Sequence, residues 1–124
     1  MNPTVLSFNI PAAQAAAVQA AAARIGAAVI AVPQADYRQS VGAVLGILPR
    51  ANEVCLSPFY EPMLIMAGLV RDDMEQFLDI LKENGVHIPY KAVLTPTNLT
   101  WRCDALVEEL KKEHAQIKRM REKQ

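Results

Sequence analysis

Apolar and polar residues alternate along this chain with two spacings, one typical of strands and one of helices. Between residues 61 and 101 an apolar run over 63–66 leads to Gly68, and a helical pattern follows it. The apolar positions of that helix lie at i, i+3, i+4 and i+7; they are Met74, Phe77, Leu78 and Leu81. Gly85 ends the helix, and a second apolar run over 92–94 ends at Thr95. This order predicts a strand over 62–67, a helix over 71–84 and a strand over 90–95.

The first third of the chain predicts another strand, helix and strand, over residues 4–9, 11–25 and 27–32. Asn9 can cap the helix, and Pro11 suits its first turn because a missing N–H costs nothing there. Gly26 is a natural residue to follow the helix, and Pro33 ends the second strand.

The middle third is less regular. Apolar residues at helical spacing predict a short helix over about 36–46; they are Tyr37, Val41, Val44 and Leu45. Gly42 counts against this helix, because a glycine inside a helix costs about 1 kcal/mol relative to alanine. Prolines interrupt residues 47–61, which we interpret as an ordered loop, with a short edge strand over 54–56 as the alternative.

The last element is a long helix over 100–121, with an apolar stripe that includes Leu106, Leu110 and Ile117. After Leu110 the composition becomes Lys, Glu, Gln and Arg. We therefore expect residues 112–124 to form a solvated or frayed helical tail.

Together these elements predict one domain over residues 1–124 of the α+β class. The expected architecture is a ferredoxin-like βαβ-βαβ sandwich with an additional C-terminal helix, whose helices cover one face of a four-stranded antiparallel sheet. The alternative is a small parallel, doubly wound α/β sheet, in which the helix over 36–46 is a crossover. No internal repeat has a convincing period.

Composition and charge narrow the function classes. The chain has 13 basic and 13 acidic residues, so its net charge is zero, which argues against a nucleic-acid partner. Its apolar runs are too short for a bilayer and its N-terminus lacks the features of a signal peptide. Cys55 and Cys103 are widely spaced, which indicates free thiols and a cytoplasmic protein.

Four segments between residues 61 and 115, nearly half of the chain, carry a family resemblance. They read EPMLIMAGL, ENGVHIP, PYKAVLTPTNLTW and EELKKEH. They resemble the bacterial family catalogued as domain of unknown function 3783. The resemblance implies a compact intracellular domain and brings no mechanism with it.

The best candidate ligand site is where the fourth strand gives way to the last helix. A helix N-terminus there presents free N–H groups to an anion, and a lysine and hydroxyls could add contacts. The site consists of Lys91, Thr95, Thr97, Asn98 and Trp101. The alternative is structural: Thr97, Asn98 and Thr100 cap the helix, Trp101 packs on the sheet, and Lys91 is solvated.

No set of residues predicts catalysis, a metal or a cofactor. Cys103 would lie in the first turn of a helix, where the pKa of a thiol falls, but it has no neighbouring histidine, so a packed cysteine is the better interpretation. The segment from Gly42 to Gly46 lacks a phosphate-binding fingerprint. We expect a non-enzymatic ligand-binding, protein-interaction or regulatory module, with a second copy or another protein as its partner. The alternative is an enzyme or sensor that binds a small anionic metabolite at this junction.

Overall fold

A computed structural model describes residues 1–122, which form two compact units. The first unit comprises Met1–Pro33 and Tyr60–Leu94. The second comprises Gln34–Phe59 and the described part of Thr95–Gln124. The expectation of a single domain over 1–124 stays a prediction.

The strands and helices follow the predicted order, and each is shorter than predicted. Along the chain they are β1 (Thr4–Phe8), α1 (Ala12–Arg24), β2 (Ala28–Ala31), α2 (Val41–Val44), β3 (Met63–Ala67), α3 (Arg71–Glu83), β4 (Tyr90–Val93) and α4 (Cys103–Glu122). Two 3₁₀ turns, Gln34–Asp36 and Asn98–Thr100, precede α2 and α4. Pro11, rather than Asn9, is the residue that caps α1, and Asn9 instead adopts a positive φ of 55°.

The first unit contains one mixed sheet with the strand order β2-β1-β3-β4. The central pair, β1 with β3, is antiparallel, and each outer pair is parallel. The described chain is therefore a mixed fold of four strands and four α-helices. The ferredoxin-like arrangement is not confirmed, since two of the three pairings are parallel, and the all-parallel alternative is wrong at the centre. Each helix returns the chain to a strand beside the one it left, which makes those two strands parallel neighbours.

The core of the first unit lies between its two helices and one face of its sheet. All five residues of β3 are buried, which confirms the central position that its apolar run predicts. From the helices, Val18 and Phe77 pack into the same cluster as Val5 and Leu64. Alanines on α1, two of them fully buried, allow that helix to lie close to its neighbours. Burying a side chain such as Phe77 stabilises the fold by about 1.5–3 kcal/mol.

In the second unit, α2 is shorter than the sequence predicts. The predicted helix over 36–46 is wrong in its extent, because the backbone of Ser40 is extended, with ψ of 156°. Ser40 pairs with Arg102 in an isolated antiparallel bridge, and its Oγ accepts a hydrogen bond of 3.0 Å from Ala43 N. A helix cannot pass through a residue held in this way, so α2 begins only at Val41.

A buried glutamine anchors the long loop that follows α2. The Gln39 side chain is 2% exposed; its Nε2 donates to Ala51 O at 2.7 Å, and its Oε1 accepts from Ala51 N at 2.8 Å. Tyr37 stacks on Phe59 with ring centroids 4.4 Å apart. The loop is thus ordered, as predicted, and contains no strand over 54–56.

The structure extends the two βαβ halves that the sequence predicts into an internal duplication of five elements. The series strand, helix, strand, 3₁₀ turn, helix occurs twice. The first four elements have equal lengths in both halves, namely 5, 13, 4 and 3 residues. The halves meet in antiparallel fashion twice, once between β1 and β3 and once at the Ser40–Arg102 bridge.

The two halves differ in two places. The connection from α1 to β2 needs only residues 25–27, whereas that from α3 to β4 uses residues 84–89. The closing helices also differ in length: α2 has 4 residues and α4 has 20. Both additions lie in the second half of the chain.

A test of the second unit's packing is Gly42→Ala. A Cβ at this position would lie 2.6 Å from Leu48 Cδ1 and 3.0 Å from Leu99 O. We expect the substitution to lower the free energy of unfolding by about 1–3 kcal/mol, the usual cost of overpacking. Urea denaturation measures the loss. Adding Leu48→Ala to Gly42→Ala should cost less than the sum of the two single changes, and strict additivity would contradict this origin of the strain.

Candidate functional site

The predicted ligand site divides between the two units. Lys91 is the second residue of β4 and belongs to the sheet unit. Thr95, Thr97, Asn98 and Trp101 belong to the second unit. The two parts are therefore described separately, and their convergence on one ligand stays a prediction.

Within the second unit, Thr95 and Asn98 bind each other. The Asn98 backbone N donates to Thr95 Oγ1 at 3.0 Å, and Thr95 N donates to Asn98 Oδ1 at 2.9 Å. The Asn98 side chain is buried and closes a turn before the 3₁₀ segment. This reciprocal pair resembles the side-chain bonds that cap helices, so both residues have a structural task.

The other two members of the predicted set lie around that turn. Thr97 precedes the 3₁₀ segment without a side-chain capping bond, and its carbonyl accepts from Thr100 Oγ1 at 3.5 Å. Trp101 is 36% exposed and its backbone is extended, so α4 begins at Cys103 rather than at residue 100. With Arg102 the indole lines an open depression of about 420 Å³.

Cys103 is not an activated nucleophile in this fold. Its side chain is fully buried, and burial raises the pKa of its thiol to about 12. The neighbouring Asp104 carboxylate contributes to this rise. Desolvation outweighs the helix N-terminus here, so the packed cysteine is the interpretation that the structure supports.

Lys91 lies in a different environment from the one its sequence neighbours suggest. Its Nζ donates to Ile88 O, and burial lowers the pKa of its ammonium group. It borders a depression of about 290 Å³ beside α3, here termed the Lys91 pocket. The pocket is lined by Leu78, Asp79, Leu81, Lys82, Val86, His87, Ile88 and Lys91. Three of these residues belong to the longer connection between α3 and β4.

A second surface that the sequence only partly indicated is the distal part of α4. Residues 103, 106, 107 and 110 are buried, whereas every residue over 112–122 is exposed. Ile117, which the sequence placed in the apolar stripe, is 50% exposed, and Met120 is 66% exposed. Lys123 and Gln124, the end of the predicted tail, lie outside the described residues.

Over residues 1–122 no group of three or more histidine, cysteine or acidic side chains is placed to hold a metal ion. In the same range no helix combines the length and the apolar character needed to cross a membrane.

Comparison with known proteins gives one match. Residues 62–117 match the model of a family described as Domain of unknown function (DUF3783). No curated protein and no solved structure matches the chain. The matched segment contains β3, α3, β4 and most of α4, which is the second of the two structural halves.

The Thr95–Asn98 pair can be tested through stability. Asn98→Ala removes the acceptor for Thr95 N inside a buried turn, and we expect it to lower the free energy of unfolding by about 1–2 kcal/mol. Asn98→Asp keeps the acceptor oxygen and should cost less. Urea denaturation of both variants distinguishes them, and equal losses would show that the bond to Thr95 N is not what Asn98 supplies.

Proposed function

We propose that this chain is a protein-interaction module rather than an enzyme, and that it associates with a second copy of itself. Its residues 62–117 belong to the DUF3783 family. The docking surface is the distal part of α4, residues 111–122. The observation that carries the proposal is the exposed continuation of a buried apolar stripe.

That stripe runs along one face of α4. Leu106 and Leu110 are buried four residues apart, and Ile117 follows seven residues later on the same side. Met120 lies one turn beyond Ile117 and is also exposed. At 1.5 Å per residue, the distal part extends about 18 Å beyond the buried turns. A helix of this length exposing large apolar residues on one face is typical of a surface that another chain covers.

Charge indicates which partner fits. Residues 111–122 carry five basic and two acidic side chains, whereas α3 carries five acidic and two basic ones. The acidic side chains of α3 border an open groove of about 420 Å³, together with Ile80 and Arg24; they are Asp72, Glu75, Asp79 and Glu83. A basic helix with an apolar edge is complementary to such a groove.

The same chain thus carries both surfaces, which favours a symmetric dimer. In a two-fold pair, the α4 of each copy would lie against the α3 of the other, so each contact occurs twice. The zero net charge of the whole chain is consistent with this, because the two charged helices offset each other. Opposite charges also steer the encounter and fix the register of the two helices.

A second candidate function is recognition of a small anionic metabolite, by an enzyme or a sensor, at the junction of β4 and α4. Trp101, with Arg102 beside the open depression, favours it. Thr95 and Asn98 count less, because the side chain of each accepts a hydrogen bond from the backbone N–H of the other.

Charge reversal tests the dimer. Lys118→Glu combined with Arg121→Glu should weaken association at least tenfold, because both new carboxylates would face acidic α3. Adding the variant Asp72→Lys with Asp79→Lys in equal amount should restore association as a mixed dimer. Sedimentation equilibrium between about 0.01 M and about 1 M salt measures the dissociation constant, which should rise with salt.

The matched control keeps the charges: Lys118→Arg with Arg121→Lys should associate like the original chain. A chain that is monomeric at all concentrations, or an association indifferent to charge reversal, would refute the dimer.

Ile117→Ala tests whether Ile117 belongs to the dimer interface or to the core. Because Ile117 is half exposed, the substitution should change the free energy of unfolding by no more than about 0.5 kcal/mol in dilute, monomeric protein. The same change should raise the dissociation constant of the dimer severalfold, since it removes apolar area from the contact. Leu110→Ala is the comparison, because Leu110 is buried and its loss should cost about 2–5 kcal/mol of stability. A large stability loss in Ile117→Ala would assign that residue to the core instead.

A further inference from the structure

The Lys91 pocket contains a cation that the protein itself leaves partly uncompensated. The Lys91 side chain is half-buried, and its Nζ donates to the carbonyl of Ile88. No carboxylate of the described residues forms an ion pair with it. A partly buried ammonium group held by a neutral carbonyl is a favourable place for an added negative charge, since desolvation strengthens the attraction.

The surroundings of Lys91 define what kind of anion fits. The wall formed by α3 contributes Leu78 and Leu81, and the connection to β4 contributes Val86 and Ile88. Leu81, Val86 and Ile88 are buried, so the inner side of the pocket is apolar. A ligand that extends from the ammonium group along this wall would need an apolar body.

The other charged and titratable groups of the pocket are Asp79, Lys82 and His87. Lys82 adds a second positive charge, while Asp79 offsets one of the two. With His87 counted as neutral, Asp79, Lys82 and Lys91 leave the pocket a net positive charge of one. This balance suits one negative charge on the ligand.

The duplication shows that the fold does not require this pocket. In the first half, residues 25–27 connect α1 to β2, and Val29 takes the place on β2 that Lys91 takes on β4. The second half uses residues 84–89 for the same connection, and these include three residues that line the pocket. The longer connection and the lysine are thus additions to a βαβ unit that closes without them.

We infer that the Lys91 pocket is a binding site for a small monoanion with a short apolar chain, with Lys91 as the group that binds its charge. The volume of about 290 Å³ is at the lower end of the range for ligand pockets, which fits a small molecule rather than a nucleotide. The inference and the dimer rest on different side chains apart from Asp79, which borders both the pocket and the groove. The binding test leaves Asp79 unchanged, so failure of one proposal does not imply failure of the other.

The test titrates the 124-residue chain with three probes, and calorimetry and amide chemical shifts measure the binding. Hexanoate has both the charge and the apolar chain, acetate has the charge alone, and hexylammonium has the chain with the opposite charge. Hexanoate should bind saturably, with shifts concentrated over residues 78–91. Acetate and hexylammonium should bind at least tenfold more weakly.

Substitution identifies the group responsible. Lys91→Met keeps an unbranched stem and removes the charge, and it should weaken hexanoate binding at least tenfold. Arg50→Met, at an exposed arginine in the loop after α2, is the matched control and should leave binding unchanged. Hexanoate affinity should also fall as pH rises through the lowered pKa of Lys91, because the neutral amine no longer attracts the carboxylate.

Several outcomes would overturn the inference. These are non-saturable hexanoate binding, equal binding of hexylammonium, and unchanged affinity in Lys91→Met. If Lys91→Met fails to fold, the comparison of the three probes on the unaltered chain still decides the question.

Discussion

The antiparallel contact between β1 and β3 is the constraint on which the sheet depends. It joins two βαβ halves along strands whose residues are almost all buried. Once these strands are paired, one edge of each remains free, and the helix that follows each strand returns the chain to that edge. The order β2-β1-β3-β4 and the parallel outer pairs follow from this placement. The central strands therefore need apolar residues on both faces, whereas β2 tolerates exposed positions.

Sequence patterns predicted the elements of this sheet better than their pairing. The run over 63–66 indicates burial on both faces, and the spacing from Met74 to Leu81 indicates a helix with one apolar side. Neither pattern states which strand lies alongside or in which direction it runs. The same limit explains the error at α2, where apolar spacing suggested a continuous helix. Ser40 is held extended by its bridge to Arg102, a residue far away in sequence.

The candidate sites show that a local sequence pattern does not predict which residues form a pocket. The sequence grouped Lys91 with the polar residues that follow it, because hydroxyls, an amide and a helix start occur together there. In the structure, Thr95 and Asn98 are bonded to each other, and Lys91 borders a pocket made by α3 and the connection before β4. That pocket depends on the face of a helix and the path of a turn, which a spacing along the chain does not encode.

The duplication supplies an internal comparison that separates what the fold needs from what has been added to it. The first half closes the same strand, helix and strand with a shorter connection, and it ends in a helix of only four residues. Stability of the βαβ unit therefore does not explain the longer connection or the exposed turns of α4. Both additions lie within or next to the segment that the family match covers. Two features distinguish the second half. One is a pocket with a lysine that has no ion pair among the described residues, and the other is a basic helix with an exposed apolar edge. The two proposed binding functions rest on these features.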